Sequence, residues 1–215
     1  MAATSRLSSE FVARRYDRLA PIYGFVEKIF MMRPGIRRVT VDSLELESGD
    51  TVFEIGCGTG ANLSALVERV GTSGRVLGID VSPGMVAKAE RLRERRGWKN
   101  VELETRDAEE LGAPGGLDGV LFSLSYSVLA EQRRILAEAW ALLADGGRLA
   151  IMDAGAPDGW TGRLLAGPMR ALSRASVLGN PNAQAEQHLT ELAGEVEFRR
   201  FWPGTYFLCV ATKRS

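Results

Sequence analysis

The chain has 215 residues, enough for one α/β domain with a full core and too few for two catalytic domains of ordinary size. Lysine plus arginine equals aspartate plus glutamate at 27 each, which leaves no global field to recruit nucleic acid. The two cysteines, Cys57 and Cys209, fall in no metal-ligand spacing, no apolar run reaches the length of a membrane span, and no charged-then-apolar leader is visible; the expectation is a cytoplasmic protein with reduced thiols and no metal.

In chain order, the first forty residues carry eight cations, from Arg6 to Arg38, against three carboxylates, interleaved with Phe11, Tyr16, Ile22, Tyr23, Phe25, Phe30, Met31 and Met32. Such a segment reads first as a helical cap over a ligand cleft, and second as an amphipathic surface for peripheral contact with anionic lipid. We divide the single domain into this cap, 1–48, and a core, 49–215.

Thr51 to Ile55 form an apolar strand that runs into Glu54-Ile55-Gly56-Cys57-Gly58-Thr59-Gly60, after which Leu63, Leu66, Val67 and Val70 repeat at helical spacing. Glycines between a strand and a helix let the backbone turn tightly and approach a ligand with no Cβ in the way. The second strand, from Arg75, stops at Asp80, where a carboxylate is placed to accept the hydroxyls of a ribose. Ser82-Pro83 starts a helix to about Arg96, with a capping hydroxyl and a proline in the first turn. Arg91, Arg93, Arg95 and Arg96 on that helix alternate with Glu90 and Glu94 and read as a solvated face.

Further strands follow at Val101 to Thr105, Leu117 to Ser123 and Gly147 to Asp153, with a helix marked by Leu136, Ala139, Trp140 and Leu143 and closed by Asp145-Gly146-Gly147. This alternation implies parallel strands with helices on both faces. After it, 195–199 alternates as a half-exposed edge strand, Trp202-Pro203-Gly204 turns, and Tyr206 to Ala211 is continuously apolar; the last strand should therefore fold back antiparallel inside the edge strand.

Gly56, Gly58 and Ala61 also meet the loose dinucleotide fingerprint, which would make the chain an oxidoreductase. Glu54 weighs against that reading, because a carboxylate beside the turn repels a pyrophosphate and suits an ammonium and a sulfonium. With Glu54 included, the turn resembles motif I of the class I S-adenosylmethionine (SAM) methyltransferases. From Tyr16 to Asp153 the chain is similar to their small-molecule branch, near the ubiquinone/menaquinone C-methyltransferases and bacterial phospholipid N-methyltransferases. The marks are Tyr16-Asp17-Arg18-Leu19-Ala20-Pro21-Ile22-Tyr23, Gly78-Ile79-Asp80-Val81-Ser82 and Leu142-Leu143-Ala144-Asp145-Gly146-Gly147-Arg148.

That resemblance implies a seven-stranded Rossmann-like sheet with the last strand antiparallel, SAM as cofactor, and a cofactor site made by Tyr16, Glu54, Gly56, Cys57, Gly58, Asp80, Val81, Met85, Asp107, Ala108 and Ser123. Glu54, Gly56 and Gly58 would hold the methionine end, Asp80 the ribose, Val81, Met85, Asp107 and Ala108 the adenine, with Ser123 beside the sulfonium. Gly24 stands where family members often carry Asp, and Phe122-Ser123-Leu124-Ser125-Tyr126 lacks the Pro-Pro-Tyr signature of base and amide N-methyltransferases. The acceptor is thus expected to be a small or amphiphilic molecule: a phospholipid amine, or alternatively a quinone or phenolic natural product methylated on carbon or oxygen. A SAM-binding scaffold without turnover is a third reading. No His/Asp dyad announces a general base, so the catalytic residue is left open among Asp153, Tyr126, His188 and Tyr23. His188, in a polar stretch, reads first as a surface or lid residue, and about 157–190 as an apolar, arginine-rimmed lid over the acceptor pocket.

Overall fold

A computed structural model describes residues 35–155, 184–201 and 206–214. Its elements are α1 (Ile36–Asp42), β1 (Thr51–Ile55), α2 (Leu63–Val70), β2 (Arg75–Asp80), α3 (Pro83–Arg96), β3 (Val101–Thr105), β4 (Leu117–Ser123), a 3₁₀ turn (Tyr126–Val128), α4 (Gln132–Leu142), β5 (Leu143–Ala154), α5 (Ala185–Ala193), β6 (Glu197–Phe201) and β7 (Tyr206–Thr212). The strands form one seven-stranded sheet in the order β3-β2-β1-β4-β5-β7-β6. The first five pair in parallel, while β7 runs antiparallel to both β5 and β6, with Ile151 opposite Cys209 and Phe198 opposite Cys209 on the other side.

Strand alternation distributes the core between two faces. Phe53, Ile55, Phe122, Ile151 and Cys209 point to one side and are covered by Ile135, Leu136 and Ala139 of α4 and by Ala185 and Leu189 of α5. Val52, Leu121, Ala150, Met152, Leu208 and Val210 point to the other, beneath Val41 of α1, Leu63, Leu66 and Val70 of α2 and Ala89 of α3. Period-two side chains filled on both faces explain why β4, β5 and β7 are almost continuously apolar.

At the start of α3, the Ser82 hydroxyl accepts the Met85 amide at 3.2 Å, with Pro83 at the first helical position, as the sequence predicts. The end of α4 differs from expectation. The helix stops at Leu142, and Leu143 is already extended and paired with Leu117, so Asp145-Gly146-Gly147 belongs to a bulged β5 and not to a helix cap. The left-handed Gly146, at φ +85°, donates its amide to Lys213 carbonyl at 2.8 Å, and a Cβ on Gly147 would meet Leu117 carbonyl at 2.7 Å. The edge strand β6 likewise begins at Glu197, two residues later than the alternation suggests.

Within the expected cap only 35–48 is described, and its helix α1 buries Ile36, Thr40 and Val41. Within the expected lid only 184–190 is described, and there α5 buries Ala185, His188 and Leu189 against the sheet. Tyr16, Tyr23, Gly24, most of the expected lid and the Trp202-Pro203-Gly204 turn lie outside the described residues. Among those described, no helix is long and apolar enough to cross a membrane.

Candidate active site

Parallel strands deliver their carboxyl ends to one edge of the sheet, and a cleft opens there above β1, β2 and β4. Counting its mouth it encloses about 940 Å³. Glu54, Gly56, Cys57 and Gly58 line it from the glycine turn, Asp80, Val81 and Met85 from the exit of β2, Asp107 and Ala108 from the exit of β3, and Ser123 from the end of β4. The structure thus brings together every cofactor residue expected from the sequence that lies among those described.

The three glycines do different work. At Gly56, φ is +79° and a Cβ would sit 2.4 Å from the Ser125 Cβ, so this glycine admits the Ser125 turn against β1. Ser125 completes that contact by donating its hydroxyl to Ile55 carbonyl at 2.6 Å. Gly60, at φ +82°, makes room for Leu63 and Ala89. Gly58, at φ +55°, faces open space, with nothing within 4 Å of where a Cβ would stand. That space is the cleft.

Asp80 fastens the turn. One carboxylate oxygen accepts the Gly58 amide at 2.9 Å and the other the Ser82 amide at 2.9 Å. The glycine turn and the start of α3 are therefore held at a fixed distance by a single side chain. The Cys57 thiol beside them is buried, and burial pushes its ionisation well above the ordinary range, so it is a packing group and not a nucleophile.

Glu54 is 1% exposed, on the sheet face beneath α1, α2 and α3. One oxygen accepts the Asn62 amide nitrogen at 2.5 Å, and the other, Oε2, is buried with no hydrogen-bond partner. Burial raises its pKa from 4.5 to about 7, opposed by the Asn62 bond and the field of Arg37 and reinforced by Asp80. Asn62 stands at the N-cap of α2 without capping it, and it also accepts Arg37 Nη1 at 3.2 Å. The same Nη1 lies 3.3 Å from the Ser123 hydroxyl. Arg37 and Asn62 were not singled out in the sequence. Arg37 is one cation among eight in the N-terminal region, whereas Asn62, a polar side chain just after the turn, was the legible signal.

The weak catalytic candidates stand elsewhere. Tyr126 is fully buried behind the cleft wall, and its hydroxyl lies 2.8 Å from His188 Nδ1. His188, expected at the surface or in a lid, is instead 9% exposed on the inner side of α5, where burial lowers its pKa. The polar look of its segment comes from the outer side of the same helix, where Glu191 pairs with Arg133 and Gln187. Asp153 is buried and accepts the Ser127 amide at 2.7 Å, the Ser127 hydroxyl at 3.0 Å and the Ala154 amide at 2.7 Å, which ties the 3₁₀ turn to β5. Burial nonetheless raises its pKa from 3.8 to about 6. None of the three lines the cleft.

Residues 52–147 match a family model described as a methyltransferase domain. Over that span, somewhat under half of the chain, the sequence is similar to methyltransferase domains. It is 36% identical over 141 residues to aklanonic acid methyltransferase of Streptomyces sp. (strain C5), covering 65% of this chain and 63% of that protein. It is 30% identical over 141 residues to 2-phytyl-1,4-naphtoquinone methyltransferase of Thermosynechococcus vestitus, covering 64% and 62%. The chain thus spans somewhat less than two thirds of the length of these relatives. Among solved structures, a phosphoethanolamine N-methyltransferase 2 from Haemonchus contortus superposes with a TM-score of 0.76 over 97% of this chain and 60% of that one, at 16% identity, a likeness of fold alone.

The cleft fits SAM, the cofactor that the resemblance implies, on its own chemistry. An ammonium group would satisfy the orphaned Glu54 Oε2, the open space at Gly58 admits close backbone approach, and Met85 and Ala108 give apolar faces for a purine.

Proposed function

We propose that this chain transfers a methyl group from SAM to a small acceptor bearing an apolar ring. The observation that carries the reading is Glu54 Oε2, a buried acceptor without a partner in a cleft whose next carboxylate, Asp80, ends β2 and accepts the Gly58 amide. A buried polar atom costs about 1–3 kcal/mol when left unsatisfied, so a cationic ligand group there recovers that cost. Glu54 would hold the ammonium, Arg37 would face the carboxylate of the same methionine portion, and Asp80 would accept the ribose hydroxyls. A pyrophosphate in this place would meet Glu54 instead, which argues against the oxidoreductase reading.

SAM supplies a methyl carbon made electrophilic by its sulfonium. The acceptor's electron pair would form the new bond to that carbon while the carbon–sulfur pair returns to sulfur, and the proton of a phenolic acceptor would leave to solvent. What the protein adds is alignment, and holding reactants in line removes up to about 7–11 kcal/mol from a barrier. Tyr126 and His188 bond to each other, and Asp153 is occupied by Ser127, so among the described residues these three candidates support packing more than proton transfer. A ring acceptor that attacks as a phenolate, its proton already lost to solvent, needs no obligatory side-chain base.

The names of the sequence relatives, an aklanonic acid enzyme and a phytyl naphthoquinone enzyme, support a ring acceptor over a phospholipid amine. Residues 1–34, most of the N-terminal segment on which the membrane reading stands, lie outside the described residues, so that contact remains a separate proposal. Labelled SAM incubated with phenols, quinols and ethanolamine phospholipids tests the choice. Label in a ring acceptor supports it; label in phospholipid alone would replace it.

A further inference from the structure

Leu124 and Glu45 are the two non-glycine residues with positive φ among those described, and Leu124, at +58°, lines the cleft. The turn it makes has a reason. Ser125 must drop toward Gly56, and the Leu124 amide donates to Met152 carbonyl at 2.8 Å on the way. The choice of leucine has none in the backbone, since glycine or asparagine adopts this conformation at lower steric cost. A strained side chain at a cleft points to a use for that side chain.

Leu124 is half-buried on the sheet face that α1, α2 and α3 cover, and it packs at the edge of the cluster that Tyr206 and Phe201 also border. Tyr206 pairs with Ala154 at the carboxyl end of β5 and with Phe201 across β6, so both aromatic rings stand at the cleft edge of the sheet. Ser123, next to Leu124, touches Arg37. Burial raises the pKa of the Tyr206 hydroxyl, and the field of Arg37 opposes it. Leu124, Tyr206 and Phe201 thus border one apolar cluster toward the carboxyl edge of the sheet, and Leu124 lines the cleft.

We propose that Leu124, with Tyr206 and Phe201 beyond it, is the wall against which a flat apolar ring of the methyl acceptor lies. The proposal rests on the methyl-transfer reading above. Leucine is kept at a strained position because the ring needs an apolar surface beside the sulfonium.

The test is calorimetric titration of 2-naphthol, a flat bicyclic ring with one hydroxyl, into protein saturated with S-adenosylhomocysteine, together with thermal melts. Wild type, Leu124→Gly and Leu124→Asn are compared, both substitutions suiting a left-handed backbone. Wild type is expected to bind 2-naphthol, and both variants to lose about tenfold or more in affinity while melting close to wild type. Equal affinity across the three, or no binding by wild type, overturns the subsite. A lowered melting temperature with 2-naphthol binding intact overturns it too, by assigning Leu124 to core packing. Failure of S-adenosylhomocysteine to bind is a distinct outcome that removes the methyl-transfer reading and the subsite with it.

Discussion

The Asp80 carboxylate accepts the Gly58 amide at 2.9 Å, joining the exit of β2 to the middle of the glycine turn across 22 residues of sequence. The residue expected to grip the ribose is therefore also a clamp on the glycine turn. Asp80→Ala should act twice, deleting a charged acceptor and releasing Gly58. We expect Asp80→Asn to weaken SAM binding by about 1.5–3 kcal/mol, and Asp80→Ala by more, with both proteins folded. Calorimetry decides: equal losses in the two variants would remove the clamp, and no loss would remove Asp80 from the site.

Glu54 makes cofactor affinity depend on pH. Its ligand-free pKa of about 7 leaves it half protonated at neutral pH, whereas an ammonium partner requires the carboxylate. Affinity for S-adenosylhomocysteine should fall as pH drops from 8 to 6, and Glu54→Gln should be weak and flat across that range. The stability effect has the opposite sign. A carboxyl raised from 4.5 to about 7 binds its proton more tightly when folded, so it adds stability below 4.5 that is lost as pH rises through 7. Glu54→Gln should therefore raise the ligand-free melting temperature at pH 8, by the equivalent of about 1–3 kcal/mol. A variant less stable than wild type at pH 8 would contradict the assignment of Glu54 as a buried, strained carboxylate.

Two glycines of one motif should fail differently. Gly56→Ala drives a Cβ to 2.4 Å from Ser125 at a left-handed φ and should cost about 2 kcal/mol or more of folding stability. Gly58→Ala meets nothing in the protein and should fold with a smaller loss, yet its side chain enters the cleft and should weaken cofactor binding. Urea denaturation and calorimetry on the pair separate these effects; identical behaviour would show that the open space at Gly58 is not the ligand's.

The Tyr126–His188 bond predicts a structural phenotype. Tyr126→Phe leaves His188 Nδ1 without its partner and should destabilise the fold by about 1–3 kcal/mol. His188→Ala and Asp153→Asn should keep turnover at neutral pH, well short of the roughly 10²- to 10⁴-fold loss expected when a general acid or base is removed. A collapse in turnover with cofactor binding intact would make the variant residue a proton carrier.

The sheet was legible because β1, β4 and β7 are apolar runs bounded by turn residues, and β7 was placed inside β6 by comparing a continuous pattern with an alternating one. The glycine turn and Asp80 were legible because a ligand's demand on backbone geometry leaves few residue types that satisfy it. What could not be read were pairings with no local signature. Arg37 reaches Asn62 and Ser123 across 25 and 86 positions, and Tyr126 meets His188 across 62. The Asp145-Gly146 pair misled because a left-handed glycine serves a bulge as well as a helix end, and the pairing of Leu143 with Leu117 decides between them.

Glu54 is the residue through which we propose that this cleft holds SAM. Titration of S-adenosylhomocysteine and of NAD into the wild-type protein and Glu54→Gln at pH 8 tests it most directly. We expect one saturable site for S-adenosylhomocysteine in wild type, a loss of about tenfold or more in the variant, and no binding of NAD. Tight NAD binding without S-adenosylhomocysteine binding, or an affinity for S-adenosylhomocysteine that Glu54→Gln leaves unchanged, would contradict it.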